Sequence, residues 1–487
     1  MIRHTVKSIH MLFNSIQFAV FFAAVSIGYF LVPFRYRWLL LLAASYVFYM
    51  SRRWEYGFII AGLTLASFFC SRRIQAAQAP GTRRLWLTLA ICLSLSPLFF
   101  FKYYGLANRT VEWVGKILHM RTGLPHLHLA LPAGISFYTF AALGYTFDVY
   151  YRRISSERHL GRFALFVSFF PVVLAGPIER AGRLIEQFER ENGFDFDRVT
   201  SGAALFLWGL FKKAVIADRL AIYVGEVYAS PHMFSGATLL LATYFFTFQI
   251  YCDFSGYSDM AVGIGRILGY DLIQNFNLPY FAASIQDFWR RWHISLTTWF
   301  RDYLYFPMGG RRVRRLRWAE NILVVFIVSG LWHGASWTFA IWGALHGFYY
   351  LLERLPAALW ERLRRLLHLH GPLLRGIQIV LTFNMAAFAW IFFRASSIND
   401  AWFIARHIFT DPCCGLYRGS SQLTTGLSIF LILFLLLVQT LQASDRIPVC
   451  FSLSGWPTAA RWSAYAFLVF GISMLGVGSH AFIYLQF

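Results

Sequence analysis

Two histidines stand in the stretch of this 487-residue sequence that carries most chemistry. His333 lies in SGLWHGASWTF and His293 in DFWRRWHISL. A neutral imidazole takes a proton from a hydroxyl at neutral pH, which is general-base work. Gly330 and Gly334 flank His333 and let backbone or substrate come close. Trp332 and Trp337 are placed to wall a narrow tunnel. If DFWRRWHISL is helical, Trp289 and His293 stand at i and i+4 and share a face, with Arg290 on another. A layer with Trp289, Trp292 and His293 inward, and Arg290 and Arg291 outward, suits an anionic carrier such as a phosphopantetheine nucleotide. Each reading has a plain alternative. A histidine in an apolar helix is often a packing residue. The tryptophan–arginine block is equally an amphipathic helix holding headgroups at a membrane surface.

The segment QIYCDFSGYSDM adds Asp253, Ser255, Tyr257 and Asp259, and NFNLPYF adds Asn277. Asp253 and Asp259 are off a common helical face unless the chain unwinds near Gly256. They fit either cation binding or the orientation of polar groups beside a tunnel. His346 falls on a different face of a regular helix from His333, which makes it structural. HExxH, GxxxxGK[ST] and GxSxG are all absent from the sequence. The six cysteines show no metal-type spacing, and Cys413 and Cys414 are an adjacent pair of ordinary thiols. No metal site is expected.

The elements that hold these residues are set by an apolar chain. Hydrophobic residues make up 58% and charged residues 14%. That composition predicts an all-α, polytopic membrane protein. The net charge of +21 falls in short arginine runs between apolar segments, such as 52–53, 152–153 and 311–317. Such runs fit the positive-inside rule, so nucleic acid is not an expected partner. The run 11–32 reads as an uncleaved first helix. Further spans are expected at 38–50, 56–70, 85–101, 131–150, 163–177, 201–216, 236–269, 321–353, 377–393, 426–441 and 463–482. Several fall short of the ~20 residues of a full crossing, so they tilt or re-enter. The expectation is about ten to thirteen transmembrane or re-entrant helices in one membrane domain, 1–487. Its N-terminal helices occupy 11–130, its core motifs 131–353 and its C-terminal helices 375–487. Residues 280–307 form a re-entrant or interfacial layer, and the arginines of 311–317 face the cytoplasm. His368 and His370 sit in a polar linker. Asp148 and Glu179 are read as carboxylates paired with nearby arginines.

The motifs GISFYTF, FFPVVLAGPIER, QIYCDFSGYSDMAVGIGRILGY, NFNLPYFAASIQDFWRRWHISLTTWFRDYLYFPMGG and SGLWHGASWTFAIWGALHG cover about 131–353. Together they resemble the membrane-bound O-acyltransferase family. The likeness is greatest to its bacterial branch of alginate O-acetylation and teichoic acid D-alanylation. The resemblance implies helices around a central funnel. It also implies transfer of an acyl group from a cytoplasmic thioester across the bacterial inner membrane. The family's principal histidine falls on His333 and its second active-site position on His293. Acetyl-CoA is the implied donor, with no permanently bound cofactor, and an acyl carrier is the alternative. Implied partners are membrane lipids, a periplasmic acetylesterase-like protein and polysaccharide export machinery. The implied acceptor is an exported, alginate- or cellulose-like polysaccharide. Ala141 and Arg311 stand where the branch often has Gln and Asn, which bears on substrate identity. Three other readings stay open: D-alanyl transfer, a transporter or flippase, and a non-catalytic scaffold of an export complex.

Overall fold

The computed structural model describes residues 11–51, 53–120, 125, 129–353, 371–411, 415–419, 422–444, 446–448, 451, 455–478 and 482–483. The expectations for His368, His370, Cys413 and Cys414 fall outside these residues. All regular structure among the described residues is helical. An apolar solvent cannot satisfy backbone N–H and C=O groups, and a helix satisfies them internally. Among the described residues six helical stretches are long and apolar enough to cross a membrane: Tyr56–Ala76, Pro80–Ile117, Phe196–Ala229, Gly371–Arg394, Leu423–Ala443 and Thr458–Leu475. One shorter apolar helix among the described residues, Ile16–Leu31, adds to these, against the ten to thirteen transmembrane or re-entrant segments expected from sequence.

The chain divides into two compact units. One comprises residues 1–206 and 260–273. It holds α1 (Ile16–Leu31), α2 (Phe34–Met50), α3 (Tyr56–Ala76), α4 (Pro80–Leu98), α5 (Tyr104–Ile117), α6 (Ile135–Tyr150), α7 (Leu160–Ser168) and α8 (Ala181–Phe188). Here Asp148 pairs with Arg153 at 3.1 Å, as read from the sequence. Glu179 is buried, and its Oε1 accepts a 2.6 Å hydrogen bond from the backbone N–H of Ile273. Burial pushes its carboxyl up to about 7.

The other unit comprises residues 207–259 and 274–487. Helix α9 (Phe196–Phe211) leads into a π-helical turn, Lys212–Ala217, and then α10 (Asp218–Ala229). The 33-residue α11 (Gly236–Leu268) follows. Next come the short helices α12 (Ile285–Arg291) and α13 (Ile294–Phe300), then α14 (Arg315–His333) and α15 (Trp337–Leu352). The unit closes with α16 (Gly371–Arg394), α17 (Ile398–Thr410), α18 (Gln422–Ala443) and α19 (Thr458–Leu475). Helices α14 and α15 cross with their backbones almost in contact. A Cβ on Gly330 would lie 2.1 Å from the carbonyl oxygen of Phe339, and one on Gly343 2.2 Å from that of Phe326. At Gly334, where α14 ends, the Phe339 ring would lie 2.1 Å from an added Cβ. The sequence offered backbone or substrate as what Gly330 and Gly334 admit; at Gly330 it is the backbone of α15, and at Gly334 the ring of Phe339.

Candidate active site

His333 is the last residue of α14 and is 3% exposed. Its ring is enclosed by Trp332 at 5.0 Å between centroids, Trp342 at 5.2 Å and Phe393 at 5.5 Å. The ring of His293 lies 6.3 Å away. His293 is fully buried and meets Phe254 edge-on at 4.6 Å and Trp332 at 5.9 Å. Two histidines from separate motifs thus converge on one aromatic-walled spot.

They converge because the chain breaks at His293. The sequence suggested one helix through DFWRRWHISL, with Trp289 and His293 on a shared face. Instead α12 ends at Arg291, and His293 takes φ +44° and ψ +55°, the left-handed region, before α13 begins. A non-glycine residue there costs about 1–2 kcal/mol, so its neighbours must hold it. The extended segment around Phe276 does so. The carbonyl of Asn275 accepts from Ile294 N at 3.0 Å, and Asn275 Oδ1 accepts from Ser295 Oγ at 2.7 Å. Asn277 N donates to the carbonyl of Arg291 at 3.0 Å. Orphan groups at both helix ends are thereby satisfied. Trp289 still reaches the neighbourhood, through Trp342 at 5.8 Å.

Several predicted residues lie elsewhere. Trp337 is 53% exposed at the start of α15 and walls nothing, whereas Trp332 is buried against both histidines. Asn277 is exposed and acts through its backbone, and the side chain at work is that of Asn275. Arg290 is exposed, and Arg291 pairs with Asp287 at 2.9 Å.

Asp253, Ser255 and Asp259 serve a different cluster. Lys213 Nζ lies 2.6 Å from Asp253 Oδ1 and 2.8 Å from Asp218 Oδ1. Lys212 Nζ lies 2.7 Å from Asp259 Oδ2 and 2.9 Å from Ser255 Oγ. Both lysines are buried. Neighbours on an α-helix point about 100° apart. The wider π turn narrows that angle and lets both ammonium groups reach α11. The helix stays regular through Gly256. A Cβ there would sit 2.7 Å from Gly209 O, so close packing, not unwinding, is what this glycine allows. Tyr257 packs its ring on Phe482 at 4.8 Å.

Sequence reasoning missed both lysines, and it set His346 apart by a face argument that fails once the helix breaks at Gly334. His346 is fully buried, with Trp342 at 5.0 Å, and Trp342 in turn touches His333. A histidine thirteen residues beyond a Gly-flanked one could have been found by letting Gly334 end the helix. Among the described residues no three His, Cys, Asp or Glu side chains gather in a way that could hold a metal ion.

Two imidazoles at this separation can act on one reacting centre, one moving a proton and the other holding a neighbouring group. A family model for membrane-bound O-acyltransferases matches residues 93–398, which include both histidines. The chain belongs to the membrane-bound O-acyltransferase family. It is therefore an enzyme, an O-acyltransferase, and a multi-pass membrane protein; the transporter and scaffold readings fall away. "Probable alginate O-acetylase AlgI" of Azotobacter vinelandii is 39% identical over 399 residues, covering 80% of this chain and 77% of that one. The peptidoglycan O-acetyltransferase of Helicobacter pylori is 36% identical over 427 residues, covering 80% and 78%. The teichoic acid D-alanyltransferase of Bacillus subtilis is 26% identical over 333 residues, covering 64% and 78%.

Proposed function

We propose that this membrane-bound O-acyltransferase moves an acetyl group from a cytoplasmic thioester, acetyl-CoA, to hydroxyls of an exported polysaccharide. The transfer runs across the bacterial inner membrane, directly or by way of a periplasmic acetylesterase-like partner. The observation that carries the reading is the convergence of His293 and His333 within 6.3 Å, inside a family of acyltransferases. The O-acetylase relatives at 36–39% identity favour acetyl over D-alanyl, whose named relative stands at 26%. The exposure of the arginines of 311–317 supports a cytoplasmic position for this stretch in this reading.

In this reading a hydroxyl oxygen attacks the thioester carbonyl. The His333 imidazole takes its proton, the new C–O bond forms, and the C–S bond breaks. The imidazolium then returns the proton to the departing thiolate. His293 orients the thioester end. Loss of a general base lowers rate by about 10²–10⁴. His333→Ala should therefore lower acetyl transfer per folded molecule by that much while the protein inserts and elutes as the parent does. Near-parental transfer from well-folded variant would sink the assignment. Mass spectrometry of surface polysaccharide from cells with and without the protein reads the acceptor directly.

A further inference from the structure

Helix α15 ends on a charge that does not suit it. From Trp337 to Leu352 it carries no Asp, Glu, Lys or Arg, and its C-cap is Glu353. The C-terminal end of a helix is the negative end of its dipole and favours a cation, so a carboxylate there is misplaced for its own helix. Glu353 serves another element. Its Oε1 accepts from the backbone N–H of Ile285, and its Oε2 accepts from that of Gln286 at 3.1 Å. These are the first two residues of α12, whose N-terminal end favours an anion.

The start of a helix leaves four backbone N–H groups to be satisfied. In α12 Glu353 takes the first two. Ser284 Oγ accepts from Asp287 N at 3.0 Å, and the Ser284 carbonyl accepts from Phe288 N at 2.8 Å. Ser284 is the cap of α12 itself, whereas Glu353 reaches it from the far end of another helix. From that point α12 runs back along α15. Trp289 meets His346 at 5.0 Å between ring centroids and Trp342 at 5.8 Å, and Trp342 lies 5.2 Å from His333. Ring-on-ring packing of this kind is non-directional and does not define how far one helix slides on another. A carboxylate holding two N–H groups does define it. Two residues past the end of α12 stands His293. One end of α15 thus walls His333, and the other end fixes the helix that delivers His293.

We propose that Glu353 is a positioning residue: it sets the register of α12 on α15 and so the place of the His293 ring relative to His333. The proposal rests on the reading of His293 as the group that orients the thioester end.

The test compares the parent, Glu353→Ala, Glu353→Gln, His293→Ala and the double variant Glu353→Ala/His293→Ala, each as the purified full chain. Two quantities are measured: kcat/KM for acetyl-CoA per folded molecule, and the ring-carbon NMR signals of isotope-labelled histidine. The His293 signal is identified by its absence from His293→Ala. The Phe254 ring at 4.6 Å makes that signal sensitive to small movements. A remote change that misplaces a group by 1 Å can cost about 10²-fold. Glu353→Ala should therefore lower kcat/KM by about tenfold and move the His293 signal. Glu353→Gln keeps one acceptor oxygen for α12 and should recover part of both. In the His293→Ala background, Glu353→Ala should cost nothing further, because residues that act as one unit are not additive. If Glu353→Ala does not fold, Glu353→Gln carries the same comparison with smaller shifts. A loss by the same factor in both backgrounds would make Glu353 a general support of the fold and overturn the proposal. If His293→Ala loses transfer while Glu353→Ala changes neither rate nor signal, this inference fails and the reading of His293 stands. If His293→Ala transfers like the parent while Glu353→Ala moves the ring signal, the positioning stands and the reading of His293 fails.

Discussion

The lysine–aspartate cluster and the histidine–tryptophan cluster share helix α11 and treat buried polarity in opposite ways. Asp253, Ser255 and Asp259 of α11 hold Lys212 and Lys213, and each lysine has two oxygen partners within 2.9 Å. Phe254 of the same helix packs on His293, near a cluster in which, among the described residues, both nitrogens of His346 and the indole N–H groups of Trp289, Trp292, Trp342 and Trp390 have no hydrogen-bond partner. A buried charge is costly enough that its partners must be present when the chain folds. A neutral ring nitrogen costs far less. The ionic cluster is thus held by paired charges, and the aromatic one by ring-on-ring packing.

Breaking the ionic cluster should give the largest effect on stability. Lys213→Met leaves Asp253 and Asp218 buried without their shared cation, a change worth about 3–5 kcal/mol. Thermal melting should show a deep loss, while acetyl transfer per folded molecule stays near the parent's. A specific loss of transfer in the folded fraction would move Lys213 into the active site and erase the contrast.

Glu179 sharpens the same point with a carboxylate whose 2.6 Å hydrogen bond comes from backbone. Its carboxyl stands at about 7 when folded against 4.5 for the free side chain. A raised carboxyl favours the folded state fully below the unfolded value, and that contribution is lost as pH rises through the folded value. Between pH 4.5 and 7 the loss amounts to about 3 kcal/mol. Melting temperature should fall across this window in the parent, and Glu179→Gln should flatten that fall. An unchanged slope would place the titration on other groups.

The smallest effect concerns the bend at His293. Glycine adopts φ +44° without strain, whereas alanine does not. His293→Gly should therefore be more stable than His293→Ala by about 1 kcal/mol, with donor use impaired equally in both. Equal stability would show that the left-handed turn is not held as described.

The two histidines were legible in the sequence because polar residue types in an apolar context stand out without any geometry. Roles that depended on helix faces were not. Trp289 and His293 were paired by an i, i+4 rule that the break after Arg291 removes, and His346 was excluded by a face rule that Gly334 removes. Lys212 and Lys213 lay unremarked inside the expected span 201–216, because a π turn has no 3.6-residue signature. In an extended run Asn275 and Asn277 would share a face, so period-two reasoning could not choose between them, whereas the structure buries Asn275 and exposes Asn277. Long apolar helices, by contrast, follow from composition alone.

The π turn at Lys212–Ala217 has a consequence for how this protein can change over time. A π turn holds one residue more than an α turn, so its identity is a matter of length as much as of side chains. Deleting one residue within it would restore a regular turn with the flanks nearly in phase, and would return neighbouring side chains there to about 100° apart. Lys212 and Lys213 could then no longer both meet their carboxylates, although every charged side chain would still be encoded. Substitutions across this turn are separate events, whereas a single-residue deletion disturbs the contacts of both lysines at once. The lineage of this fold is thus constrained here by the count of residues more tightly than by their kinds.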